Sequence, residues 1–67
     1  MKEKREKIMP VVDLLEYMIR RGKISNAGGH KIYAVVLENP DLVKQVMNIL
    51  DDDLVEEEML ARVQRLV

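Results

Sequence analysis

Aliphatic residues recur at helical spacing along nearly the whole of this chain, and only one segment could be read as a strand. Ile8, Val12, Leu15 and Ile19 stand at i, i+4, i+7 and i+11, with Val11, Leu14 and Met18 beside them. A helix with such a stripe must bury it against another element. Asp13, Glu16, Tyr17 and Arg20 fall off the stripe. Pro10 has no N–H to give and is tolerated in a first helical turn. The firm helix is therefore expected over residues 10–21, with residues 1–9 as a basic, partly frayed segment. Arg20 and Arg21 complement the negative helix end, and Gly22 suits the left-handed residue that closes it.

Residues 22–30 read as a loop, because Ser25, Asn26, Gly28 and Gly29 are all turn formers. The run from Lys31 to Glu38 is continuously apolar in its middle and fits a buried helix or a buried strand. The helix is preferred, since a strand needs a partner and no other segment offers one. A strand would require two chains pairing through this run. As a helix it is apolar nearly all round and should be the central element. Asn39-Pro40-Asp41 punctuates the chain: Asn as N-cap, Pro at the first helical position, Asp at the positive end. A third helix follows over residues 40–50. Three aspartates, Asp51 to Asp53, break it, and Asp53 with Glu56 has the spacing of a capping box for a last helix over residues 53–66. The expected fold is all-α: a compact bundle or orthogonal array of about four short helices, near residues 10–21, 29–38, 40–50 and 53–66. Residues 10–67 form its single domain. The last helix ends uncapped at Val67, which fits an N-terminal domain of a longer protein.

Composition narrows the function. Cysteine is absent, which removes disulfides, thiolate metal sites and a cysteine nucleophile. At 67 residues the chain is short for the deep cleft most enzymes use. No apolar run approaches a membrane span, and no signal-peptide core follows the charged start, so a cytoplasmic protein is expected. Residues 1–31 hold eight Lys/Arg against four acids, and residues 32–67 hold three against eight. A chain with opposite charges in its two halves suits head-to-tail or antiparallel association.

Few residues carry a chemical motif. His30 is the single histidine and builds neither a triad nor a metal site by itself. Gly28-Gly29 fits an anion-binding nest, a turn, or close approach of one helix to another; no P-loop or dinucleotide pattern surrounds it. Residues 51–58 hold six carboxylates in eight positions, but lack the glycine and spacing of a calcium loop. They read as a solvated, helix-starting face. No catalytic residue, metal, cofactor or small-molecule substrate is assigned, and the chain reads as a non-enzyme.

The aliphatic faces speak more clearly. A domain of about 60 residues buries only roughly 60% of its unfolded surface, and small chains usually add a staple or a partner. The expected function is a protein–protein interaction or assembly domain, homo-oligomeric or binding a helix of another protein. Met59, Leu60, Val63, Leu66 and Val67 on the last helix are the expected contacts. The alternative is a small nucleic-acid-binding regulator using Arg20, Arg21, Lys23, His30 and Lys31 around the loop. Against it, the chain is not basic overall and the 31–38 helix lacks polar residues to read bases.

Overall fold

The computed structural model describes residues 2–67, with side chains from Glu6 onward. The helices are α1 (Lys2–Arg20), α2 (Asn26–Glu38), α3 (Val43–Leu50) and α4 (Glu56–Arg65), with a 3-10 turn over Pro40–Leu42 between α2 and α3. No strand occurs among the described residues, and 31–38 is helical. Each helix packs on two others, in the cyclic order α1, α2, α4, α3. The core is wholly aliphatic: Ile8, Val11, Leu15 and Met18 meet Ile24, Ile32, Val35, Val36, Val46, Leu50, Met59 and Val63. Among the described residues no polar side chain is buried, and no helix is long and apolar enough to cross a membrane.

α1 is longer than its sequence implies. It begins at Lys2 and runs without interruption through Pro10. Ile8, 2% exposed, gives the segment before the proline its own anchor in the core. Pro10 leaves the Glu6 carbonyl without its usual donor, but both residues face outward, where water can serve that oxygen. The side chains of Lys2, Glu3, Lys4 and Arg5, which give the start much of its charge, lie outside the described ones. At the other end Gly22 takes φ +74°. Its N–H donates to the Ile19 carbonyl at 3.1 Å, and that of Lys23 to the Met18 carbonyl at 2.9 Å. This is the Schellman closure that a glycine at this position allows.

α2 also starts earlier than expected, at Asn26 rather than near residue 29, because Ser25 is its N-cap. The Gly28 N–H donates to Ser25 Oγ at 3.0 Å. In an ordinary capping box the third helical residue is a Glu or Gln that accepts the N-cap N–H. Here that residue is Gly28, and Glu56 of α4 takes over the role from outside the helix. The Ser25 N–H donates to Glu56 Oε1 and the Ser25 hydroxyl to Oε2, each at 2.7 Å. A Cβ on Gly28 would lie 2.5 Å from Glu56 Oε2, and one on Gly29 would lie 2.8 Å from Ile19 Cδ1. The two glycines are therefore not loop residues. They leave room on α2 for the Glu56 carboxylate of α4 and the Ile19 side chain of α1.

The same contact displaces the capping box expected within α4. Asp53 sits at φ +54°, a region aspartate tolerates better than most residues, and does not cap. Val55 is the N-cap, with no side-chain bond, and Glu56 is turned to Ser25. Asn39 is likewise redirected. Its side-chain amide donates to the Val35 carbonyl at 3.0 Å and its backbone N–H to the same oxygen at 2.9 Å. Its side chain thus closes α2, while the residue itself keeps the expected N-cap position of the 3-10 segment, with Pro40 and Asp41 following and no side-chain cap bond.

These bonds set a pH dependence. The Ser25 hydroxyl and N–H hold the Glu56 carboxyl below its ordinary value of 4.5. The Lys7 ammonium, 2.8 Å away, holds Asp41 below its ordinary 3.8. A carboxylate depressed in the folded state adds stability above its unfolded pKa and loses it as pH falls through the folded one. The urea midpoint should therefore drop on acidification below about pH 4.5. Glu56→Gln combined with Asp41→Asn should start lower and fall less. Parallel acid profiles for the two proteins would contradict the assignment.

Candidate protein-interaction face

Most of the contact residues expected on the last helix are covered within the chain. Met59 and Val63 are each 1% exposed and belong to the core. Leu60 and Leu66 are half-buried against it. Only Val67, at 63%, stands clear. α4 is ten residues long and lies on α2 and α3, so its apolar stripe is already spent inside the chain. A broad stripe near Val67 reads as uncovered in the sequence; in the fold the core needs it.

Arg20, Arg21, Lys23, His30 and Lys31 are all exposed. The Arg21 guanidinium lies 5.5 Å from the centre of the Tyr17 ring. Lys23 Nζ is 3.8 Å from Asp53 Oδ1. Lys31 sits where its charge helps depress Glu56. His30 and Lys31 leave α2 on different sides: His30 lines a groove towards α1, and Lys31 one towards Gln64 and Val67. The opposite charges of the two chain halves are partly folded together, with Arg62 also reaching Asp52 and Glu58. Among the described residues, no group of three His, Asp or Glu is placed to hold a metal.

Three shallow grooves of similar size mark the surface, and one of them lies between α1 and α2. It is an open groove of about 310 Å³, floored by Val12, Leu15, Ile19, Gly29 and Tyr33, with Glu16, Asn26 and His30 at its edges. α1 supplies Val12 and Ile19 because they flank its buried stripe and end up half-covered. α2 buries Gly28, Gly29, Ile32, Val35 and Val36 on one face only. That leaves Tyr33 and Leu37, one turn apart, 36% and 40% exposed. Met9, three residues before Val12, is 40% exposed as well. Taken from Lys31 alone, the run is apolar all round, which hides this second face. The period of Gly28, Ile32, Val35 and Val36 separates it once the glycines are counted as helical.

Chemically, this face can hold apolar side chains and offer a few polar groups at its rim. The carboxylates whose proton affinity the fold clearly shifts, Asp41 and Glu56, lie elsewhere and are lowered by structural bonds. Compared with family models, with curated proteins and with solved structures, the chain matches none.

Proposed function

We propose that this chain is a non-enzymatic protein-interaction module that takes the apolar side of a helix along its α1/α2 face. The observation that carries this reading is the open groove lined by Val12, Ile19 and Tyr33, with the exposed Leu37 one turn beyond Tyr33 on α2 and the exposed Met9 three residues before Val12 on α1. Helix-in-groove recognition uses anchors at i, i+3 or i+4, and i+7, and a two-helix groove offers them a matching track. The contacts expected at Met59 and Val63 move to this face, because those two side chains hold the fold. A small interface of this kind, with a tyrosine near its middle, has the composition of a binding hot spot.

Selection of helical peptides from a random library tests it. The winners should carry Leu, Ile or Met at helical spacing. Tyr33→Glu should weaken them about tenfold or more, the loss expected of a truncated aromatic anchor. Peptides that bind Tyr33→Glu and Leu37→Glu as well as the original chain would reject this face.

A further inference from the structure

We infer that the helix taken by this face is a basic one, carrying beside its apolar anchors a Lys or Arg that meets Glu16. The inference rests on the α1/α2 groove being the binding surface, and adds the charge of the occupant. Val12, Glu16 and Ile19 stand at i, i+4 and i+7 on α1, so Glu16 lies between the two half-buried aliphatic side chains that edge the groove. Among the described residues of the lining it is the one carboxylate, and no Lys or Arg joins it there. Asn26, His30 and Tyr33 supply the other polar groups, all from α2. Asp13, three residues before Glu16, adds a second exposed acid on the same flank of α1. Among the described residues, neither acid makes an ion pair or a side-chain hydrogen bond within the chain, whereas Asp41, Asp52, Asp53, Glu56 and Glu58 do.

A helix seated against Val12, Ile19 and Tyr33 covers part of the Glu16 side chain. A carboxylate taken from water without a compensating partner costs free energy, and a cation held against it offsets that cost. Arg20, one turn beyond Glu16, lies outside the lining and makes no ion pair with it among the described residues. The cation therefore comes from the partner. A Lys or Arg fits the place twice over: its aliphatic stem can lie on Val12 and Ile19 while its head reaches the carboxylate. The same charge disfavours partners that present phosphates. An anionic lipid surface or a nucleic-acid backbone wants the basic side chains that this lining lacks. Charge at the edge of an interface selects the partner and its orientation more than it adds affinity.

Running the helical-peptide selection in parallel on the native chain and on Glu16→Lys tests this. Winners on the native chain should hold Lys or Arg at one fixed offset from their apolar anchors. On Glu16→Lys the same offset should return Asp or Glu. Glu16→Lys should weaken a native winner about tenfold or more, and Glu16→Gln about three- to tenfold with a shallower dependence on salt. Glu57→Lys reverses an exposed acid on α4 and should leave the affinity within about twofold, which separates local pairing from a general attraction between basic peptides and acidic surface. All substitutions are on exposed positions, and circular dichroism checks the helix content of each protein. Tyr33-dependent winners with no basic offset overturn the inference and leave the face standing, as does an offset that stays basic on Glu16→Lys. Winners that ignore both Tyr33 and Leu37 remove the face, and this inference with it.

Discussion

Met59→Ala is expected to cost about 2–5 kcal/mol of folding stability, the range for truncating a buried methionine or leucine without collapse of the site. Met59 is 1% exposed and is among the largest fully buried side chains. It sits on α4, the helix whose seat on α2 and α3 completes the core. A domain below about 70 residues rarely has more than roughly 3–5 kcal/mol to lose, so the variant should be largely unfolded at room temperature. Urea titration followed by far-ultraviolet circular dichroism measures this directly. Val67→Ala, at 63% exposure, should stay within about 0.5 kcal/mol of the native chain. The contrast matters for function. Were α4 the partner surface, Met59→Ala would impair binding while sparing the fold. A stability loss below about 1 kcal/mol would mean that α4 does not seal the core as described.

Gly28→Val is expected to be the most damaging exchange outside the aliphatic core, at about 1–3 kcal/mol for forced overpacking. Its Cβ alone would meet Glu56 Oε2 at 2.5 Å and Ile24 Cγ1 at 3.1 Å, and two further methyl carbons need room beyond that. The carboxylate must swing away, and the Ser25 hydroxyl and N–H lose their acceptor. A coupled experiment isolates the cause. Gly28→Ala should destabilise the native chain, because the displaced bonds outweigh the better helix propensity of alanine. In a Glu56→Ala background the same change should stabilise, by up to about 0.5–1 kcal/mol, since only the propensity gain remains. A sign that does not reverse would show that Glu56 is not what Gly28 makes room for. Ser25→Ala should cost about 1 kcal/mol, as loss of an N-cap does, and should be less harmful once Glu56 is gone.

Both effects concern how α4 is held, and that bears on the proposed interaction. The polar clasp and the aliphatic seat use up the buried stripe of α4, while Met9, Tyr33 and Leu37 of α1 and α2 stay exposed. Binding at Tyr33 and Leu37 can then be altered without touching Met59, Val63 or Glu56.

What the sequence by itself determined was the local layer. The stripe from Ile8 to Ile19, the left-handed closure at Gly22, the break around Asn39-Pro40 and the stop at the three aspartates all depend on neighbours within a turn or two. Spacing, a missing N–H, a missing Cβ and the sign of a helix end are enough to place them. That four short helices would share an aliphatic core follows from the same pattern.

What only the tertiary structure decided were the relations between helices. Glu56 serves Ser25 across 31 positions rather than its own helix, which no nearest-neighbour spacing encodes. Gly28 and Gly29 lie within α2, and side chains of other elements occupy the space where theirs would be. Asn39 turns back because its side chain and N–H reach the Val35 carbonyl in the last turn of α2. Pro10 lies inside a helix because Ile8 is anchored beyond it. An apolar stripe states that something must cover it; which surface does so is settled only when the helices meet. Here they meet so that α4 is consumed, and the face bearing Tyr33 and Leu37 is left open.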